Sequence, residues 1–250
     1  MSCKYIPNME HRNLAVKLCL CRYEATGEYV CKNKVNQESF SNVSNKRIIE
    51  NFELKLSANW VYINNSGAVI GVTQTQDNKI IGIGKDNQLY VKDNLVSNWV
   101  HIPNSGAVIA ITVLSDGRLL GVGMDNQLYT RETLDSNWVH VPNSGAVKGI
   151  AQMTNGQIVG VGLDNQLYTR ETLDSNWVNV PNSGAVISLA ALQDGRLVGV
   201  GTDLQLYTRD TLTSNWVNVP NSGAVNAIAQ LKDGTLIGCG TDFNMYTRSG

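Results

Sequence analysis

"NWVHVPNSGAV", residues 137–147, decides how this chain folds, because it is not alone. Near-copies open at Asn59 ("NWVYINNSGAV"), Asn98 ("NWVHIPNSGAV"), Asn176 and Asn215 (both "NWVNVPNSGAV"). The five tryptophans of the chain, Trp60, Trp99, Trp138, Trp177 and Trp216, all lie in these copies, and each gap between them is 39 residues. A fixed period of roughly 20–50 residues marks a solenoid, a propeller or an array. One unit, 145–183, carries turn signals at "TNG" (154–156), "LDN" (163–165) and "TLDSN" (172–176). They cut it into "AVKGIAQM", "QIVGVG", "QLYTRE" and "NWVNVP". Each segment is too short for a helix and rich in Val, Ile, Tyr and Trp, so each reads as a strand.

Burial is graded across the four strands. Along "QIVGVGL" both faces are apolar or glycine, with Ile158, Gly160 and Gly162 on one and Val159, Val161 and Leu163 on the other. "QLYTR" and "NWVNVP" are progressively more polar. A radial blade requires this gradient, since its inner strands are sandwiched between neighbours and its outer edge meets water. A linear solenoid would need capping repeats with a polar outer face. Here the array begins at 59 with the fourth-strand sequence and ends at "MYTRSG", just after a third strand. The expectation is therefore an all-β, five-bladed β-propeller of four-stranded antiparallel blades, in which the first strand, 59–64, completes the last blade and leaves no long free edge.

The propeller is assigned to residues 51–250, and residues 1–50 form a cysteine-containing extension and linker outside the repeat. Net charge is −1, and no stretch concentrates Lys or Arg, which argues against nucleic acid or an anionic membrane as the main partner. No apolar run approaches the 18 residues or so of a bilayer span. "LAVKLCLC" (14–21), interrupted by Lys17, is too short for a signal-peptide core, so a signal was either removed already or never present. The extension holds Cys3, Cys19, Cys21 and Cys31; Cys239 stands where other repeats have Ile83, Val122, Val161 and Val200 and reads as a buried stand-in for valine. Cys19 and Cys21 pair poorly with each other, so two bridges are expected to run from them to Cys3 and Cys31, as in a small stapled extracellular segment. One of these thiols bonding to another chain is the alternative; C-x-C without a matching C-x-x-C is a weak zinc signal. Sequons at Asn42 and Asn64 fit a secreted protein, though so short a motif also arises by chance in an Asn-rich chain.

Catalysis is not expected. His101 and His140 share a repeat position that holds Tyr62, Asn179 and Asn218 elsewhere, which is no place for a catalytic base. No nucleophile elbow, phosphate loop or HExxH is present. Asp116, Asp194 and Asp233 belong to Asp-Gly hairpin turns. No catalytic residue, metal site or cofactor is therefore assigned.

What recurs is polar and carried on turns. Alternating strand direction places the "NSG" loops on one face with the "DN" loops, and the "DG" and "TLDSN" loops on the other. The candidate carbohydrate-binding residues on the first face are Asn65, Asn104, Asn143, Asn182 and Asn221; Ser105, Ser144, Ser183 and Ser222; Asp86, Asp125, Asp164, Asp203 and Asp242; and Asn87, Asn126 and Asn165. Such short amide, hydroxyl and carboxylate groups can match vicinal hydroxyls and an N-acetyl group. Turn chemistry favours the same residue types. Leu204 and Phe243 replace the Asn of "DN" in two repeats, so the five sites are expected to be unequal. Tyr90, Tyr129, Tyr168, Tyr207 and Tyr246, each followed two residues on by Arg131, Arg170, Arg209, Arg248 or Lys92, either stack on a sugar or cover the interblade seam, and the seam is favoured.

The pattern W-V-x-V-P-N-S-G-A-V … D-G-x-L-x-G-V-G-x-D-N-Q-L-Y-T-R resembles the tectonin and tachylectin groups of propeller lectins over about 59–250. The resemblance implies binding of N-acetylated sugars or bacterial surface glycans between blades. The Gly-Gly-Trp motif of the tachylectins is absent. A lectin-like propeller with a cysteine-bearing tail is also similar to the light chain of snail-egg perivitellin toxins, which implies a disulfide-linked, pore-forming partner. The functional expectation is a secreted, multivalent carbohydrate-binding protein acting on cell or microbial surface glycans. The alternative is a structural or protein-interaction propeller, or a targeting subunit disulfide-linked to a toxin or egg-protein chain.

Overall fold

Each repeat becomes one antiparallel sheet. In the third blade the strands are Val147–Gln152, Ile158–Gly162, Leu167–Arg170 and Val178–Asn179. A computed structural model of the chain describes residues 59–249 and, ahead of them, two three-residue strands, Cys21–Tyr23 and Tyr29–Cys31. The chain divides into two units, Met1–Leu54 and Lys55–Gly250. The expected bridges through Cys3 and Cys19 and the sequon at Asn42 lie outside the described residues.

The second unit is an all-β ring of five four-stranded blades. Four blades use consecutive strands. The fifth takes Val225–Gln230, Leu236–Gly240 and Met245–Arg248, and its fourth strand is Val61–Tyr62 from the other end of the ring. Tyr62 lies opposite Tyr246 and Val61 opposite Thr247, and the Ile63 amide donates to the Met245 carbonyl at 3.0 Å. The innermost strands contact one another in ring order, the last against the first. The closed propeller read from the repeat phase is the fold.

There is no single central core. Five apolar clusters each sit between two neighbouring blades. One joins Ile81, Ile83, Leu89 and Ile102 of the first blade to Val108, Ile111 and Leu119 of the second. The cluster at the closing seam joins Ile63, Ile237, Cys239 and Met245 to Val69, Val72 and Ile80. Every residue of each second strand is buried, as strands apolar on both faces demand. Cys239 is fully buried among these side chains, and burial pushes its thiol up to about 12, so it packs in place of valine and stays protonated.

The glycines of the second strand make room for aromatic rings. A Cβ on Gly121 would stand 2.9 Å from the Trp138 ring, and on Gly160 it would stand 2.8 Å from that of Trp177. The tryptophan therefore lies flat on its own blade and faces the preceding one. Trp138 Nε1 donates to the Ser105 carbonyl at 3.3 Å, and Arg131 stacks above the ring at 5.6 Å. Arg131, buried, donates to the Pro103 and Asn104 carbonyls at 3.1 and 3.2 Å. Trp and Arg together thus clamp the loop that arrives from the preceding blade, which places the arginine in the seam. Three seams lack this arginine clamp; in the third blade Arg170 donates instead to the Thr172 and Leu173 carbonyls of its own outer loop. At the closing seam Lys92 replaces Arg and makes a 3.4 Å bond to the Asn65 carbonyl, while Trp99 Nε1 is buried without an acceptor among the described residues. In the fourth blade Arg209 stacks on Trp216 at 5.4 Å, but none of its three nitrogens meets an acceptor among the described residues.

Two details depart from the expectation. The fourth strand is only two residues long, as Trp177 turns onto its blade; it is equally short in the fifth blade, where Asn64 replaces the proline, and Val178 stays 63% exposed. Each innermost strand also has a bulge, at Ile70, Ile109, Lys148, Ile187 and Asn226, where the register slips by one residue. A bulge leaves the inserted residue unpaired and bends the strand.

Candidate functional site

The two faces divide as strand direction requires. The Val108 amide donates to the Asn87 carbonyl and the Met124 amide to the Ala107 carbonyl, which joins the "NSGA" loops to the "DN" loops on one face. Within that face the serines do not reach solvent. Ser105, Ser144, Ser183 and Ser222 are 0% exposed, as is Ser66. Ser105 Oγ accepts from the Leu89 amide at 2.8 Å and donates to the Ile102 carbonyl at 2.5 Å; Ser144 and Ser183 make the same pair of contacts, and Ser222 Oγ accepts from the Leu206 amide. These hydroxyls satisfy the backbone at the start of each third strand.

The asparagines serve the backbone as well. Asn65, Asn104, Asn143, Asn182 and Asn221 take φ between 52° and 56°, and Asn87, Asn126 and Asn165 take φ between 60° and 64°. Asparagine tolerates this left-handed region better than most residues, so the turn itself calls for it. Their exposed or half-buried side chains remain on the surface. Leu204 and Phe243 occupy the same conformation, at φ 64° and 66°. Phe243 gains a contact in exchange, with the Lys85 ammonium 4.1 Å from its ring centroid. Leu204 has no such contact among the described residues. Leu204→Asn is therefore expected to stabilise the fold by about 0.5–1 kcal/mol, by relieving an unfavourable conformation. Urea denaturation checks this; an unchanged or lowered midpoint would show that the turn does not select the residue.

The aspartates cap the same hairpins. Asp125 Oδ1 accepts from the Gln127 amide at 3.1 Å, and Oδ2 accepts from the Tyr129 hydroxyl at 2.7 Å. Asp86, Asp164, Asp203 and Asp242 pair with Tyr90, Tyr168, Tyr207 and Tyr246 at 2.7–2.9 Å. The tyrosine hydroxyl is the main cause that holds Asp86, Asp125, Asp203 and Asp242 below the ordinary carboxylate range; for Asp164 the Gln166 amide acts first. These carboxylates are exposed and keep lone pairs facing water. The "NSG" face thus carries polar groups on turns, with the serines and aspartates already engaged by the protein.

A cleft lies on the opposite face. It measures about 510 Å3 and opens between the second and third blades. Its floor is apolar, from Leu114, Val141, Pro142, Ile158 and Leu173. Its rim is polar, from Asp116 and Arg118 on the second blade's inner hairpin and from Glu171, Thr172 and Asp174 on the third blade's outer loop. Arg118 donates to Asp116 Oδ2 through Nε at 2.9 Å and NH2 at 2.7 Å, and this pairing lowers the carboxyl of Asp116 and raises the guanidinium of Arg118. Gln152 ties the two blades together: its Oε1 accepts from the Ser115 amide at 2.7 Å, and its Nε2 donates to the Gly156 carbonyl at 2.9 Å. Gln157 Nε2 donates to Glu171 Oε1 at 2.8 Å, which orients the carboxylate at the rim. An apolar floor ringed by fixed donors and acceptors is the usual construction of a small-ligand site, and about 300–1,000 Å3 is the usual size.

None of the sequence-derived candidates lines this cleft. A signal for it was present in the differences between repeats. At the inner hairpin the units read Asp77-Asn-Lys79, Asp116-Gly-Arg118, Asn155-Gly-Gln157, Asp194-Gly-Arg196 and Asp233-Gly-Thr235, while the outer loops vary less, "ETLDSN" recurring unchanged at 132–137 and 171–176. The serines, aspartates and arginines that recur hold the blades, while the varied inner hairpin supplies Asp116, Arg118 and Gly156 to this cleft.

Among the described residues no group of three or more His, Cys, Asp or Glu side chains could hold a metal ion. No helix of the described residues is long and apolar enough to cross a membrane.

The fold is a five-bladed propeller with a cleft between its second and third blades. The chain belongs to the tectonin family, whose domain model matches residues 68–250. That family is one of lectin-like and interaction propellers rather than enzymes, consistent with glycan or protein binding. No curated protein matches the chain. Among solved structures it is similar to the protein described in "The de novo evolutionary emergence of a symmetrical protein is shaped by folding constraints", at 18% identity and TM-score 0.53 over 68% of this chain and 86% of that one. It is also similar to a Bacteroides caccae protein of unknown function, at 15% identity and TM-score 0.49 over 69% of this chain and 70% of that one. A third likeness is to YCF48 bound to a D1 peptide, at 13% identity and TM-score 0.45 over 75% and 67%. These likenesses are of fold alone.

Proposed function

We propose that this protein is a secreted, multivalent carbohydrate-binding propeller that takes N-acetylated sugars of cell or microbial surface glycans in its interblade clefts. The observation that carries the reading is the cleft between the second and third blades. Leu114, Val141, Pro142, Ile158 and Leu173 offer an apolar bed for the C–H face of a sugar ring and for an acetamido methyl group. Asp116, Arg118, Glu171 and Asp174 offer acceptors and donors for its hydroxyls. A single shallow sugar site is weak, and several on one rigid ring multiply through effective concentration when they meet one coated surface. The varied rims make the five seams unequal in strength. Titration calorimetry with diacetylchitobiose tests the reading. Binding in the millimolar range or tighter is expected, and Glu171→Ala with Asp174→Ala should weaken the strongest site about tenfold, a loss of roughly 1.4 kcal/mol, with the melting temperature unchanged. No heat at millimolar sugar, or unaltered binding by the variant, overturns it.

A second reading rests on a different part of the chain. The four cysteines at 3, 19, 21 and 31 would let the propeller act as a targeting subunit, disulfide-linked to a toxin or egg-protein chain. The two readings are compatible, because a targeting subunit needs a surface ligand.

A further inference from the structure

The strands Cys21–Tyr23 and Tyr29–Cys31 pair antiparallel, with Tyr23 opposite Tyr29, Arg22 opposite Val30 and Cys21 opposite Cys31. Residues 24–28, "EATGE", connect them, and outward from this connection the chain reads Tyr then Cys at matching positions on both sides. Directly opposed residues in an antiparallel pair have Cα atoms about 4.5 or 5.5 Å apart, depending on the pair class. Both values fall within the roughly 4.4–6.8 Å that a disulfide spans. We infer that Cys21 and Cys31 form an intrachain disulfide that locks this hairpin.

The register decides what composition left open. Cys19 and Cys21 both competed for Cys31, and only Cys21 lies opposite it. Cys19 sits two residues outside the paired segment, so in this register it has no claim on Cys31. A hairpin of two three-residue strands is too small to hold its pairing alone in water, which gives the cross-link a structural purpose. Oxidation requires a disulfide-carrying oxidant such as oxidised glutathione. The Cys21 thiolate attacks one oxidant sulfur and expels a thiolate, then the Cys31 thiolate displaces the second glutathione, so that two electrons and two protons leave with the reduced oxidant. Cys3 and Cys19 then remain as the two thiols free to bond with each other or with another chain.

Peptide mapping of the full-length chain, made under oxidising conditions and alkylated without reduction, tests the assignment. Trypsin cuts after Lys17, Arg22 and Lys32, so the expected product is Leu18–Arg22 joined by a disulfide to Tyr23–Lys32. Because Leu18–Arg22 holds both Cys19 and Cys21, the same product must survive in a Cys3→Ser/Cys19→Ser variant, with Cys19→Ser alone as the fallback if the double variant folds poorly. Alkylated Cys21 and Cys31 in these variants, or Cys31 joined to Cys19 or Cys3 in the parent chain, would overturn the inference.

Discussion

Gly160→Ala is expected to destabilise the propeller by about 3 kcal/mol, the upper end of what one added methyl group costs in a packed interior. The new Cβ would stand 2.8 Å from the Trp177 ring and 2.8 Å from Val147 Cγ1, so neither side gives room without moving the other. Trp177 cannot retreat easily: its Nε1 donates to the Ser144 carbonyl at 3.1 Å, and Arg170 stacks on it at 5.1 Å. Gly156 provides the contrast. It has φ +90° and nothing within 4 Å of a Cβ, so alanine there meets only the backbone preference against the left-handed region, about 1 kcal/mol. Urea denaturation of both variants separates the two effects. Equal losses at the two positions would mean that the Trp–Gly contact does not set the blade's thickness.

Trp60→Ala is expected to cost about 3 kcal/mol, comparable to Trp177→Ala, because both lose a large ring from the same niche. Trp60 lies near the start of the ring sequence, yet its ring covers Gly238 and its Nε1 donates to the Ser222 carbonyl at 3.1 Å, 162 residues away. In an open array Trp60 would sit at a loose end, and its removal would change stability by no more than a few tenths of a kcal/mol, as surface substitutions usually do. The comparison of the two tryptophans is thus a thermodynamic test of closure, and a near-silent Trp60→Ala would refute the ring.

Much of this architecture was legible in the repeats. The period of 39, the turn signals and the out-of-phase ends were enough for blade number, strand number and closure. What escaped was the direction of small polar groups. Ser105 has the same one-dimensional signature whether its hydroxyl points at a ligand or at the Leu89 amide, and only the packed loop shows the latter. Asn126 likewise looks like a binding amide until its φ of 62° shows why the turn selects it. The cleft escaped for another reason: concavity arises between units. Arg118 and Glu171 come from different blades, each in a turn that its own hairpin already explains. The shortness of the fourth strand was not visible either, since the turn of Trp177 onto Gly160 depends on the glycine beneath it.

The central claim is that this ring binds saccharide in the clefts on its hairpin face and not on the loops that repeat most faithfully. An amide-resolved NMR titration with diacetylchitobiose tests it most directly. The account predicts that the signals of Gly117, Gly156 and Thr172, around the cleft between the second and third blades, shift in a saturable manner while those of Gly106 and Asn126 stay in place. Shifts confined to Gly106, Asn126 and their equivalents, or no shifts at millimolar sugar, would contradict it.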